Sequence, residues 1–246
     1  IDQIKSIIDA NPDKSMGTIA ILGRHYHGEG DRARSDSCES RMQQLYPRLY
    51  QMRKARQALS YRDMRAAETY FRLIQPDPFW KDYHLFLAER HVFSNQLDSA
   101  LIHAEAAVQL QQYNQPSYLT LALTRMARND LAEALEALRF GLSLDNRAPL
   151  FLLNLAVVHS WQNTNDSVFV YARRLYEIDS SSVLGRCLLA RGYYYQQDYP
   201  NALLHARRYL EMGHGSDEYE KLSGELIQLM PELRDYVPGG SAAFNQ

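Results

Sequence analysis

The densest run of metal-capable side chains is His25-Tyr26-His27, followed by Glu29 and Asp31. A structural or catalytic ion needs three or four such groups converging on one point. Two histidines two residues apart on a helix do not share a face, and no further ligand follows at a recognisable spacing, so no metal site is expected. Cys38 and Cys187 form neither a CxxC pair nor a zinc-ligand spacing. A disulfide between them requires the N-terminal segment to fold against the far part of the chain. There is no Gly-rich phosphate loop, no G-x-S-x-G and no H-E-x-x-H. The acidic pair Asp217-Glu218 falls on a solvated helix. His91 and His159 suit places between helices, whereas His84, His103, His205 and His214 have no evident partners. These residues assemble no catalytic centre and ask for no cofactor, so the chain reads as non-enzymatic.

Charge points the same way. The net charge is −2, which argues against nucleic acid as the partner of the whole molecule. Residues 24–72 carry 11 Lys/Arg against 6 Asp/Glu, but the acids are interleaved with the bases. That pattern suits a solvated face with ion pairs better than a docking surface. Arg outnumbers Lys 22 to 5 and there are 17 Tyr, both residue types being enriched where proteins meet. No apolar run reaches the roughly 18 residues that span a bilayer. The chain begins at Ile1, without Met; with few Lys and many Tyr, Gln and Asn, this leans towards a processed form in the bacterial periplasm or cell envelope over the cytoplasm.

What could position binding residues is a repeat of 34 residues, tiling as 47–80, 81–114, 115–148, 149–182 and 183–216. The second half of each window carries Ala66, Ala100, Ala134, Val168 and Ala202 at one place. Four places on stand Tyr70, Ala104, Leu138, Ala172 and Ala206, and three further on Leu73, Ala107, Gly141, Leu175 and Tyr209. The first halves share Leu87-Ala88, Leu121-Ala122, Leu155-Ala156 and Leu189-Ala190. Small residues one helical turn apart let antiparallel helices approach closely. Asp77, Asp145 and Asp179 sit at helix exits beside Pro78, Asn146 and Ser180, and no strand-type alternation interrupts the pattern.

Upstream, Ile19, Leu22-Gly23 and Tyr26 repeat the first-helix pattern, so residues 1–46 read as a degenerate repeat or helical cap. Residues 7–12 resemble the close of an earlier helix, with Ile4, Ile7 and Ile8 on its apolar face. Downstream, residues 217–230 form an amphipathic capping helix with Tyr219, Leu222, Leu226, Ile227 and Met230 on one stripe, within a segment 217–236. Residues 237–246, with Pro238-Gly239-Gly240-Ser241, read as a flexible tail.

This pattern resembles the tetratricopeptide repeat. Tyr118, Leu121, Ala122, Ala134 and Leu138 match its signature in the central window, and Leu189, Ala190, Tyr193, Ala202 and Tyr209 match or nearly match in the last. His91, Arg125 and His159 depart from it where Tyr is usual, and Arg53-Lys54 replaces Leu-Gly in the first window. The resemblance implies an all-α fold: a right-handed superhelix, or α-solenoid, of five to six antiparallel helix pairs plus a C-terminal capping helix.

In such proteins the first helices line a concave face that holds a peptide or a helix. Carried over position by position, the groove comprises Leu85, Glu89, Val92 and Phe93, then Leu119, Leu123 and Met126, then Asn154, Val157 and Trp161, and finally Arg191, Tyr194 and Tyr195. A clamp for a C-terminal carboxylate is not expected, because Leu119, Leu123 and Leu188 stand where polar groups would be needed and only Asn154 fits. The implied function is a non-catalytic adaptor or scaffold holding a protein partner in an apolar, aromatic groove. Two alternatives are an accessory assembly subunit using its convex face, such as one in a cell-envelope complex, and a ligand-sensing regulatory module. The same apolar stripe also suits internal packing, or a groove filled by residues 1–46.

Overall fold

The turn between helices governs the architecture. To leave one helix and return antiparallel to it, the chain needs one residue in the left-handed region, where Gly and Asn are least strained. The computed structural model describes residues 16–212 and 217–236. In it such residues recur as Gly30 (φ 75°), Arg62 (58°), Asn95 (55°), Asn129 (66°), Asn163 (57°) and Gln197 (62°). The N–H of the residue after each donates to the carbonyl five positions earlier. These bonds run from Asp31 to Tyr26 (2.9 Å), Asp63 to Ala58 (2.9 Å), Gln96 to His91 (2.8 Å), Asp130 to Arg125 (2.9 Å), Thr164 to His159 (3.0 Å) and Asp198 to Tyr193 (3.0 Å). One closure is therefore reused throughout.

These turns join α1 (Met16–Gly28) to α2 (Arg32–Leu45), α3 (Pro47–Ser60) to α4 (Met64–Phe71), α5 (Lys81–Phe93) to α6 (Leu97–Leu110), α7 (Gln115–Arg128) to α8 (Leu131–Leu144), α9 (Pro149–Trp161) to α10 (Asn165–Ile178) and α11 (Val183–Tyr195) to α12 (Tyr199–Met212). A last helix, α13 (Asp217–Leu229), and a 3-10 turn, Pro231–Tyr236, follow; among the described residues there is no strand. Side-chain caps fix several starts, where orphan backbone N–H groups need acceptors. Asp63 accepts from Ala66 N at 2.9 Å, Asn114 from Ser117 N at 3.2 Å and Ser182 from Gly185 N at 3.2 Å. The links between pairs use one device too, with Asp77 inside the 72–80 link and not at the helix exit. Asp77, Asp145 and Asp179 each accept from the backbone N–H two residues on, at 2.9, 3.0 and 3.0 Å.

The chain divides into two compact units, Ile1–Leu110 and Gln111–Gln246. In the first, α3 packs on α2, α4 and α5; in the second, α9 touches α7, α8, α10 and α11, and α11 also reaches α13. Leu226 and Ile227 of α13 and Met230 just after it are buried against Tyr209 and Leu210 of α12, with Tyr219 and Leu222 partly buried beside them. The expected features at residues 7–12, His214 and the tail 237–246 lie outside the described residues.

The structure corrects the sequence register in the first unit. The left-handed residues are 34 apart from Asn95 to Gln197, but 33 separate Arg62 from Asn95 and 32 separate Gly30 from Arg62. The buried small residue of α3 is consequently Ala55, not a Leu-Gly counterpart at Arg53-Lys54, and it is as fully buried as Ala88, Ala122, Ala156 and Ala190. In α4 the equivalent places fall on Ala67, Phe71 and Ile74 instead of Ala66, Tyr70 and Leu73: Ala67 and Ile74 are buried, while Leu73 is 66% exposed. The slippage sits between helix pairs, where Tyr46 alone links α2 to α3 and residues 72–80 link α4 to α5, against four-residue links later. Fixed windows absorb such length changes as a slip.

Close helix contact is sharpest at glycines. A Cβ on Gly141 would stand 2.0 Å from the buried Phe151 ring, and one on Gly192 would stand 2.9 Å from the Phe169 Cα. Phe169 Cα is backbone of α10, so relief at Gly192 requires moving a helix. Gly192→Ala gains up to about 1 kcal/mol in helix propensity but incurs an overpacking cost of about 1–3 kcal/mol. The expected net result is a thermal midpoint lowered by a few degrees, read by circular dichroism; an unchanged or raised midpoint would contradict the contact.

Candidate functional site

In the second unit the first helices bring equivalent positions, 34 residues apart, onto one face. One such row is Leu123, Val157 and Arg191, and it continues at Glu225 of α13. Leu123 is 43% exposed and Val157 half-buried. Arg191 Nη1 donates to Ser160 Oγ at 2.9 Å and pairs with Glu225 at 3.5 Å. In the first unit the same place in the hairpin holds Arg56 and Glu89, where Arg56 grips Glu89 through both Nε (3.1 Å) and Nη2. The position thus carries an ion pair in the first unit, then two aliphatic side chains and a second ion pair in the second.

The next row ends the first helices. Trp161 is 55% exposed and Tyr195 43% exposed, with Ala127 at the same place one repeat earlier and Phe93, 49% exposed, at that place in the first unit. Tyr194 is half-buried and meets Tyr195 and Tyr199 edge-on, each pair of ring centroids 5.6 Å apart. Tyr199, 52% exposed, was not singled out from sequence. It opens α12, just past the turn, where its repeat partners are not aromatic.

The remaining expected residues divide by burial. Leu85 is fully buried and Met126 is 9% exposed, so both belong to the helix-packing core and not to an open surface. Val92 and Leu119 are half-buried. Asn154 uses its amide N–H to donate to Leu150 O at 2.7 Å within its own helix, and Glu89 is neutralised by Arg56.

Of the histidines without evident partners in the sequence, His84, His103 and His205 have them in the fold. His91 lies parallel to His103 (6°, centroids 5.5 Å), His159 to Tyr171 (12°, 5.6 Å) and Tyr193 to His205 (10°, 5.4 Å). Each pair joins residues twelve apart across the turn, so the departures from Tyr at residues 91 and 159 keep a ring in the same stack. His84 Nδ1 faces His103 Nδ1 at 3.0 Å. The signal in the sequence was this spacing of twelve, visible only once the two helices are paired. Burial holds His159 and His205 below the usual histidine range, with smaller effects from Arg139 and from Arg186 and Arg208 respectively.

His25 and His27 are exposed. Among the described residues no group of three or more His, Cys, Asp or Glu is placed to hold a metal ion. A cavity of about 200 Å³ in the first unit is lined by Arg24, His27, Cys38, Glu39 and Arg53 among others. Lys54 occupies Glu39 at 2.9 Å, and burial raises the Cys38 thiol above its ordinary pKa, so it is not an activated thiolate. Cys38 and Cys187 are both free thiols. In the basic stretch, Arg34 pairs with Asp31, Arg48 with Asp77, Lys54 with Glu39 and Arg56 with Glu89. No described helix is long and apolar enough to cross a membrane.

No family model and no curated protein matches the sequence. Solved structures do match in shape. A thermophilic TPR protein of Thermus thermophilus superposes with a TM-score of 0.58 at 16% identity, over 74% of this chain and 99% of that one. The fold is that of the tetratricopeptide-repeat proteins. The Cut9–Hcn1 hetero-tetramer of the APC/C matches at TM-score 0.66 and 15% identity over 91% of this chain, which spans 45% of that one. Human IFIT1, solved as a dimer with PPP-AAAA, matches at 0.67 and 13% identity over 94% of this chain and 59% of that one. As in other tetratricopeptide-repeat folds, helix pairs and not isolated helices are the building unit here.

Arg191 connects three successive first helices of the second unit, through Ser160 of α9 and Glu225 of α13. Arg191→Ala removes the hydrogen bond to Ser160, at about 1 kcal/mol; the ion pair with a carboxylate that is 39% exposed adds less. Urea unfolding should show the midpoint fall with an unchanged slope, whereas no shift would mean that the bridge contributes nothing.

Proposed function

We propose that the chain is a non-catalytic interaction scaffold whose second unit holds the apolar side chains of a protein partner. The observation that carries this reading is the large rings left exposed at one place on successive first helices, Trp161 and Tyr195, with Leu123 exposed in the adjacent row on α7 and Tyr194 and Tyr199 alongside. Single exposed apolar residues are ordinary on a surface, but a row repeated on neighbouring helices is not. Trp and Tyr are also the residues that most often dominate binding energy. The half-buried Leu119 and Val157 supply the floor, and Arg191, held by Ser160 and Glu225, a polar edge. The partner contributed to such a face is a helix or extended peptide with aliphatic or aromatic anchors. In the same reading α13 closes the stack as its cap, covering α12 with Leu226 and Ile227, and Met230 just past its end.

A second reading rests on a different row. Val170 and Leu204 occupy equivalent places on the second helices α10 and α12 and are 52% and 50% exposed. They would serve an accessory subunit that is fixed into a larger assembly by its second helices; Cut9–Hcn1, a structure similar in fold, is a hetero-tetramer.

Two double variants separate the readings: Trp161→Ala/Tyr194→Ala and Val170→Ser/Leu204→Ser, each checked for an unchanged helical melt. Affinity is measured for a partner captured by the wild-type chain from native extract. Loss of about 2 kcal/mol or more, roughly thirtyfold, in the first variant alone is expected for a binding hot spot. The same loss in the second variant alone would move the interface to the second helices.

A further inference from the structure

Three histidines converge between α5 and α6 of the first unit, and their hydrogen bonds restrict how many protons they can hold together. His84 Nε2 faces Pro78 O at 3.0 Å, and His91 Nδ1 faces Gln96 Oε1 at 2.6 Å. Both oxygens only accept, so each of these nitrogens carries a proton. His84 Nδ1 and His103 Nδ1 stand 3.0 Å apart, and a hydrogen bond between them takes one proton, not two. With His84 neutral, His103 donates. With His84 charged, His84 donates and His103 must present a bare Nδ1. A proton on both brings two N–H groups head to head, and the ring of His91 lies flat against His103 to receive a third charge.

The surroundings do not relieve this. Asp77 acts on His84 but is already bonded to Arg48 at 2.6 Å. On α5, Lys81 pairs with Asp82 and Arg90 with Glu68 of α4, while Glu89 is gripped by Arg56 of α3. Tyr83 meets His84 edge-on. On α6, Asp98 and Glu105 have interactions of their own. His103 is held below the usual histidine range first by burial and then by the charges of His84 and His91.

We propose that His84, His91 and His103 make the α5–α6 hairpin a pH-sensitive element, closed while His84 and His103 share one proton and loosened when both are charged. The sign follows from linkage. The unfolded chain takes up protons at histidines as pH falls through about 6.5. Folded His103 takes up its proton less readily, so stability falls on acidification from that point down to the folded value of His103. This lies in the range where histidine switches operate.

The experiment is hydrogen–deuterium exchange of the full chain at about pH 7.5 and about pH 5.5, corrected for intrinsic exchange, with peptides from 81–110 compared with those from other pairs. Wild type should open several-fold more readily at the lower pH in that hairpin. His103→Tyr installs the residue found at the same place two repeats on, Tyr171, which stacks on His159. It keeps the stack, removes one titrating partner, and should abolish most of the local acid response. His84→Gln, which still offers Pro78 O a donor, should do the same and decides the matter if His103→Tyr fails to fold. A hairpin that opens equally in wild type and variants, or one that shows no acid response in wild type, overturns the proposal.

Discussion

Two α-helices can run side by side at short range only where one of them offers little beyond its backbone. Ala55, Ala88, Ala122, Ala156 and Ala190 meet that condition on the first helices, all with no exposed surface. Gly141, Gly185 and Gly192 extend it to places where even a methyl group would collide. From this close approach comes the placement of everything else. The turn must reverse the chain within a few residues, so it takes a left-handed residue and the bond to the carbonyl five places back. The aromatic places at the end of one helix and twelve residues later must then lie against each other. Small residues at the centre and rings near the turn are two ends of one constraint.

Because neighbouring pairs repeat that geometry, a place on one first helix has a counterpart on the next. What differs is the chemistry written on the row. Arg56–Glu89 and Arg191–Glu225 tie helices together by charge, while Leu123 and Val157 leave an apolar stretch. Trp161 and Tyr195 lie past the point where the helices are tightly packed, so their rings can be large and exposed without opening the core. The Ser160 hydroxyl oxygen, buried under Arg191 and accepting from it, shows how a polar edge is built without leaving that buried acceptor unpaired.

The repeat, the helix pairs and the last helix were legible because small-residue spacing and the Leu-Ala pairs are local features. The register of the first unit was not, since Tyr46 and residues 72–80 change the length of the links and fixed windows cannot see it. Leu85 and Met126 illustrate a further limit. Their counterparts Leu119, Val92 and Tyr194 are only half-buried, and the packing of the neighbouring helix decides how far each is covered. The histidine contacts were illegible for a related reason: 84, 91 and 103 lie on two helices, and their meeting depends on the pairing itself. Tyr199 escaped because it has no aromatic counterpart in other repeats.

The left-handed turn residues also bear on how the second unit answers to tension. Asn129, Asn163 and Gln197 mark repeats of 34 residues, and each repeat touches mainly its neighbours, so a chain drawn out from one end yields one helix pair at a time. A released repeat of that length extends to roughly 115 Å. With contacts confined largely to neighbouring pairs, the second unit would lengthen in steps of one pair instead of opening at a single load.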